Sequence, residues 1–141
     1  MDIIIAVGKN VAIFDSTDVI IVDSTLNITL INCKNVTVFG GANVTIVNSA
    51  HVTVVNCASV TFVNCVNLMI VNCMDVIIVD CIDVNFVDCT NVTIRNSNNV
   101  TLINCMNVTL FNCTNITLMS AAQMSLLSTV QMSALLSVQL S

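Results

Sequence analysis

Residues 99–114 read NVTLINCM followed by NVTLFNCT, two octapeptides that share six of their eight residues. In each octapeptide, Val and Leu alternate with Thr, and Asn and Cys follow. Alternation of β-branched and apolar residues with a polar residue predicts a β-strand, because side chains along a strand point alternately to its two faces. Asn and small residues are typical of turns. Each octapeptide therefore predicts one strand and one corner.

The same eight-residue frame covers almost the whole chain. We label its positions a to h, so that Asn99 is a and Met106 is h. The frame reaches back to Asp2 if Leu26 is counted as one inserted residue. A fixed short period indicates a solenoid, in which each unit buries its apolar side chains against its neighbours. We expect one β-solenoid domain over residues 1–141, with 17 octapeptides and with residues 120–141 as degenerate repeats or a cap.

The spacing of the phenylalanines predicts the size of a coil. They occupy octapeptides that are three repeats apart or a multiple of three: Phe14, Phe39, Phe62, Phe86 and Phe111. The cysteines at position g also separate into columns when they are sorted by threes. This spacing predicts an all-β, parallel, three-sided solenoid (a three-sided β-helix) with three octapeptides per coil and just under six coils.

The hexapeptide Asn-Val-Thr-Ile-Arg-Asn at residues 91–96 adds a family resemblance. It is similar to the strand-and-turn phrase of the right-handed parallel β-helices of the pectin-lyase-like superfamily. The resemblance implies that positions b and d point inward, that Asn at position f stacks in an interior ladder, and that g is a small interior corner residue. The interior ladders would then contain Asn56, Asn64, Asn72, Asn104 and Asn112, and Cys33, Cys57, Cys81, Cys105, Cys65, Cys89 and Cys113.

Positions c and e are expected to point outward and to form the surface of the rod. The residues expected to mediate assembly there are Thr29, Ile31, Thr53, Val55, Thr101, Ile103, Phe14, Phe39 and Phe111. These outward positions carry almost no charge along the whole repeat. Contiguous apolar surface of this kind is typical of association surfaces.

Composition excludes several functions. Apolar residues make up 56% of the chain and charged residues 8%, with a net charge of −5. The only cations are Lys9, Lys34 and Arg95, which argues against nucleic acid as a partner. Polar residues interrupt every apolar run before it reaches membrane-spanning length, so no membrane span is expected. The N-terminus has no basic leader, so no signal peptide is expected; the localisation stays open between an extracellular fibre or virion, if this is a mature form, and the cytoplasm.

Three groups of residues raise the question of a metal site. The eight cysteines allow disulfides or a soft metal, but buried, reduced corner residues are the favoured interpretation because no Cys-x-x-Cys spacing occurs. His51 is interpreted as a corner substitution for Asn. The aspartates allow a calcium site, but they are better explained as replacements of ladder Asn residues: Asp75, Asp80, Asp83 and Asp88. We expect no metal and no cofactor.

Catalysis is also not expected. The superfamily that the repeat resembles contains polysaccharide lyases and hydrolases, which carry long loops with clustered acidic and basic residues. This chain has no insertion beyond Leu26 and a single arginine, Arg95. No catalytic residues can be assigned.

The sequence therefore predicts a structural, self-assembling protein that is its own partner. Strand-like sequence at both ends favours end-to-end stacking of rods, and the outward faces favour lateral packing. Two alternatives remain open. One is an ice-binding or surface-binding solenoid that uses regular Thr and Val rows, and the other is a segment of a viral or cell-surface spike.

Overall fold

The computed structural model of the chain describes residues 3–5, 10–22, 27–119 and 124–136, all as β-strands and the short corners between them. Neighbouring strands pair in parallel throughout, as in Met74–Val79 with Thr90–Arg95. The predicted all-β parallel solenoid is therefore confirmed. Within the described ranges there is no helix of the length and hydrophobicity that a membrane crossing requires.

The strands alternate along the chain between two faces. Face A contains β1 (Ile3–Ile5), β3 (Thr17–Val22), β5 (Lys34–Phe39), β7 (Ala50–Val55), β9 (Val66–Val71), β11 (Ile82–Val87) and β13 (Asn98–Ile103). Face B contains β2 (Val11–Phe14), β4 (Asn27–Ile31), β6 (Asn43–Val47), β8 (Ser59–Val63), β10 (Met74–Val79) and β12 (Thr90–Arg95). β14 (Met106–Met119) passes round one corner and pairs with both β12 and β13, and β15 (Met124–Leu136) pairs along β14.

Two octapeptides, not three, make one coil. Val76 of β10 lies beside Val60 on one side and Val92 on the other, and each of these is two octapeptides away in the chain. The prediction of a three-sided coil built from three octapeptides, and of just under six coils, was wrong. The offset is one residue longer where β2 pairs β4 and β3 pairs β5, as in Val19 with Val36. One additional residue therefore lies between Val22 and Asn27, the segment to which Leu26 belongs.

The phenylalanine spacing predicted the wrong coil size because the five residues occupy two different environments. Phe62 and Phe86 occupy position d and are fully buried, whereas Phe14, Phe39 and Phe111 occupy position e and are exposed. A column of equivalent side chains would share one environment, so this spacing carries no information about the coil. The buried side chains of positions b, d and g from the two faces meet in one continuous core.

The corners explain why two strands suffice for a coil. The corner between β8 and β9 places Asn64 at φ 57° and Asn67 at φ 60°, on either side of Cys65 and Val66. Two residues with a left-handed backbone conformation, so close together, reverse the direction of the chain within half of an octapeptide. Most L-residues avoid this conformation, whereas Asn and Asp tolerate it. In the described ranges, every non-glycine residue with a positive φ is Asn or Asp, except His51.

Candidate functional site

The Asn ladders lie outside the solenoid. The residues predicted to form interior ladders, Asn56, Asn64, Asn72, Asn104 and Asn112, are all exposed, and this prediction was wrong in location. The physical reason is the left-handed backbone at position f, which turns these side chains away from the core at the corner. Sequence periodicity did reveal the ladders, but not that the backbone conformation, rather than burial, selects Asn there.

The ladder bonds all run in one direction. In most of these bonds the Nδ2 atom of an Asn donates to the Oδ1 atom of the equivalent residue one coil earlier, as in Asn72 to Asn56 at 2.8 Å and Asn112 to Asn96 at 2.8 Å. An Asp at the earlier position accepts in the same way, as Asp88 does from Asn104 at 2.6 Å. Each exposed bond of this kind stabilises the fold by about 0.5–1.5 kcal/mol.

The predicted ladder role of the aspartates fits these contacts. Asp75 and Asp83 accept from Asn91 and Asn99 of the following coil, at 3.1 and 2.6 Å. Among the described residues, no group of three or more His, Cys, Asp or Glu is arranged so that it could hold a metal ion. His51 likewise occupies a ladder position, 3.5 Å from the Nδ2 atom of Asn67.

The cysteines form interior columns, but with a different membership from the one predicted. We name the corner from face B to face A corner 1 (for example residues 64–67) and the other corner 2 (for example residues 56–59). The corner 1 column contains Ser16, Cys33, Ser49, Cys65, Cys81, Ser97 and Cys113, and the corner 2 column contains Gly41, Cys57, Cys73, Cys89 and Cys105. Since two octapeptides make a coil, the predicted columns, which took every third octapeptide, do not exist. All eight cysteines are buried free thiols.

Hydrogen bonds of the thiols connect neighbouring coils. The backbone N–H of Cys65 donates to Cys81 Sγ at 3.4 Å, and the Cys81 thiol donates to the carbonyl of Val79 at 3.3 Å. Ser97 does the same one coil later, because its Oγ accepts from the N–H of Cys81 at 3.1 Å and donates to the carbonyl of Arg95 at 2.8 Å. Where position g makes both contacts, its side chain is a small group that both donates and accepts, whereas Gly41 contributes only its backbone N–H, which donates to Cys57 Sγ.

The protonation of these thiols suits that role. The hydrogen bond with Cys65, together with burial, raises the pKa of the Cys81 thiol above its ordinary value. Hydrogen bonds with Cys57 and Cys89, together with burial, raise the pKa of the Cys73 thiol in the same direction. Cys73 and Cys81 therefore stay protonated at neutral pH and keep the hydrogen that they donate to backbone carbonyls. The same side-chain hydrogen bonds lower the pKa of their partners Cys57 and Cys65 to about 7.

We expect Cys81→Ser to be tolerated and Cys81→Ala to be destabilising. Ser retains both hydrogen bonds, as Ser49 and Ser97 show in the same column. Ala leaves the buried N–H of Cys65 without its partner, which costs about 1–3 kcal/mol. Urea unfolding of the two variants beside the wild type measures the difference. Equal stabilities for the Ser and Ala variants would contradict the bridging role of position g.

The outward rows belong to two faces. On face A, position c contains Ile20, Thr37, Thr53, Met69, Asn85, Thr101 and Thr117; on face B it contains Ala12, Thr29, Thr45, Thr61, Ile77, Thr93 and Thr109. Position e carries apolar residues on both faces, apart from Arg95. The predicted three-sided coil would place these outward residues on one common face, which was wrong, because Thr29 and Ile31 lie on face B while Thr53, Val55, Thr101 and Ile103 lie on face A. The role of these residues in assembly stays a prediction.

Large apolar side chains stand exposed on both faces. The exposed fractions are 55% for Phe14, 42% for Phe39 and 37% for Phe111, and Ile77 and Met69 are also exposed. The guanidinium of Arg95 lies 5.3 Å from the ring centroid of Phe111. The one charged group at positions c and e of the described faces is therefore itself held over an aromatic ring. In its described part, face A carries no charged residue at position c or e.

Comparison of the sequence with protein-family models and with curated proteins finds no match. Solved structures do match at the level of the backbone. The tailspike protein gp49 from Pseudomonas phage LKA1 is 13% identical, with a TM-score of 0.40, over 84% of this chain and 32% of its own. The periplasmic alginate epimerase AlgG is 10% identical, with a TM-score of 0.39, over 88% of this chain and 51% of its own.

A third match has a different type of repeat. HetL, a pentapeptide repeat protein from the cyanobacterium Nostoc sp. strain PCC 7120, is 5% identical, with a TM-score of 0.39, over 95% of this chain and 86% of its own. The chain thus spans about a third of the tailspike protein and about half of the epimerase. At such low identities and scores these likenesses carry no argument about function, which has to come from this chain's own residues.

Proposed function

We propose that the chain is a structural rod that associates with further copies of itself, end to end and through its two faces. The observation that carries this proposal is the absence of charge from both outward faces at positions c and e, apart from Arg95, over all the described strands from β2 to β14. Monomeric proteins rarely leave a contiguous apolar patch of more than a few hundred Å² in water.

The size of a face favours association of many copies over a simple dimer. Seven strands of face A, from β3 to the second half of β14, extend about 30 Å at a strand spacing of about 4.8 Å. With strands about 16 Å long, the face covers roughly 500 Å². A stable pair needs about 800 Å² on each partner, so one face of one rod falls short. Rods that are joined end to end multiply this area.

The described end strands support the end-to-end contact. β1 and β2 pair only with β3 and β4, and β15 pairs only with β14, among the strands that the structure describes. A strand paired on one side presents a row of backbone N–H and C=O groups, which is a template for a strand of another chain. Contact of β15 with β1 and β2 of a second copy would repeat the parallel pairing found inside the rod.

Electron microscopy of the purified protein at micromolar concentration tests the proposal. We expect long fibres that bundle side by side, with a fibre-diffraction reflection near about 4.8 Å along the fibre axis. The variant Thr53→Lys with Thr101→Lys puts two charges on face A and is expected to give unbundled fibres. The matched control, Ala58→Lys with Thr90→Lys, adds the same charges at corner 2 and is expected to bundle as the wild type does.

Two results would contradict the proposal. Short particles of a single size at all concentrations, confirmed as monomers by sedimentation, would exclude self-association. Equal bundling of the face A variant and the corner control would show that face A does not mediate lateral contact.

A second candidate function is binding to a regular surface such as ice. The two-sided coil brings Thr29, Thr45, Thr61, Thr93 and Thr109 into one row of face B, interrupted within this span only at Ile77. The row has a regular spacing of about 4.8 Å and lies beside a row of mostly apolar residues. A thermal-hysteresis gap that is abolished by Thr45→Lys with Thr61→Lys would support this function, and no gap with no ice shaping would exclude it.

A further inference from the structure

The corner ladders are interrupted together at one place in the rod. Residues 75–90 form one coil, and all four of its left-handed corner positions are aspartates: Asp75, Asp80, Asp83 and Asp88. We call residues 75–90 the acidic coil. We propose that the junction between residues 59–74 and the acidic coil is an internal joint, at which the solenoid opens before any other junction within residues 10–22 and 27–119.

The direction of the ladder bonds makes this junction different from the others. A carboxylate can accept a hydrogen bond but cannot donate one. Because each ladder bond is donated by the later coil, the aspartate side chains of the acidic coil accept from residues 91–106 but donate no ladder bond to residues 59–74. Every other coil junction within residues 10–22 and 27–119 has at least one side-chain ladder bond, such as Asn43 to Asn27 at 3.0 Å.

The backbone changes at the same junction. Asp75, Asn91 and Asn107, at position a of corner 2, have a positive φ, whereas Asn43 and Ser59 at the same position in earlier coils do not. The corner of the acidic coil therefore does not stack on an identical corner below it. Correspondingly, β8 and β10 are in register at four residues, while β10 and β12 are in register at five.

The acidic coil also concentrates charge. The four aspartates contribute half of the eight acidic residues of the chain, and they encircle one coil. Residues 59–74 contain no charged residue, so no cation of that coil neutralises them. The cation on the other side is Arg95, in the following coil, where it lies over Phe111. Because these side chains belong to one coil and are exposed or half-exposed to water, opening of the junction does not relieve their mutual repulsion, and the missing ladder bonds carry the proposal.

Contacts that remain across the junction explain why the rod is closed in the structure. The backbone ladders of β8 with β10 and of β9 with β11 are intact, and the N–H of Cys65 still donates to Cys81 Sγ. Opening is therefore a local fluctuation. The opening separates the coils up to residue 74 from the coils that begin at residue 75, and each of these two parts keeps its own ladders. The rod of repeated coils thereby has one defined point of flexibility.

Hydrogen exchange of single amides in the full chain tests the joint, with a matched comparison one coil later. The amides chosen for the test are three that donate across the proposed joint near the corners: Asn64 to Val79, Asn72 to Val87 and Ile82 to Cys65. The equivalent amides of the next junction are Asp80 to Arg95, Asp88 to Ile103 and Asn98 to Cys81. We expect the first set to exchange at least about tenfold faster than the second, because it opens without breaking side-chain ladder bonds. Equal rates in the two sets would overturn the proposal.

Two triple variants separate the missing ladder bonds from the charge. Replacing Asp80, Asp83 and Asp88 by Asn supplies donors opposite Asn64, Asn67 and Asn72, and should bring the exchange rates of the two sets to within about threefold. Replacing the same residues by Gly removes the charges and keeps the left-handed corners, as Gly40 does at φ 70°, but supplies no donor. In the Gly variant the first set should exchange about as fast as in the wild type, whereas the second set should become faster because the bonds from Asn99 and Asn104 are lost. A first set that slows in the Gly variant as much as in the Asn variant would show that charge, not the ladder, makes the joint and would overturn this explanation.

Discussion

Replacement of Phe86 by Ala is expected to lower the free energy of unfolding by about 3–5 kcal/mol. Phe86 is fully buried at position d of β11, between Ile70 and Leu102 of the neighbouring strands. The Ala variant loses the transfer free energy of the ring and leaves a cavity that the two close faces cannot fill. Each coil contacts only its neighbours, so damage in the middle weakens both adjoining interfaces.

Urea unfolding followed by circular dichroism measures this loss, and Phe39→Ala is the matched control. Phe39 is on the same face, in β5, but it occupies position e and is 42% exposed. Its truncation is expected to cost no more than about 1 kcal/mol, as is usual for surface positions. A similar cost for both variants would contradict the assignment of d to the core and e to the surface.

The sequence predicted the strand and corner of each repeat well, because both depend on local patterns. Val100 and Leu102 alternate with Thr101 and Ile103, and the structure buries the first pair and turns the second outward. This alternation is a property of any strand with one buried face. The parallel solenoid follows from it, since one repeat cannot bury its own apolar face.

The size of the coil could not be obtained from the pattern of side chains, because it depends on backbone conformation at the corners. The octapeptides are so similar that a turn of two repeats and a turn of three both place b, d and g inside. The sequence did contain an indication of the coil size, in the residue types at the corners. Asn or Asp at both position f and position a, as at Asn64 and Asn67, is typical of two corner residues that adopt the left-handed backbone conformation.

The same conformational requirement explains the misplaced ladder. Asn at position f was interpreted as a buried polar group that needs a stacked partner, as the resemblance to larger β-helices implies. In this chain position g is the buried residue of the corner, and Cys or Ser there supplies the hydrogen bonds. The Asn side chains remain in water, where Asp can replace them at little cost. The acidic coil is a consequence of that tolerance.

Replacement of Asn104 by Val is expected to lower the free energy of unfolding by about 2–4 kcal/mol. Asn104 has φ 53°, and a β-branched residue in that conformation costs about 1–3 kcal/mol. The variant also loses the bond from Nδ2 to Asp88, which contributes about 1 kcal/mol. Thermal unfolding of the variant beside the wild type measures the total.

Asn104→Gly separates the two contributions, because Gly adopts a positive φ freely and loses only the ladder bond. Gly also enlarges the conformational freedom of the unfolded chain, so we expect a loss of about 1–2 kcal/mol for this variant. The difference between Val and Gly then measures the conformational cost of one corner. If Gly is as harmful as Val, the ladder bond rather than the left-handed backbone determines the residue at position f. In that case the two-sided coil would depend on side-chain stacking, and the Asp-rich corners of residues 75–90 would be unable to sustain it.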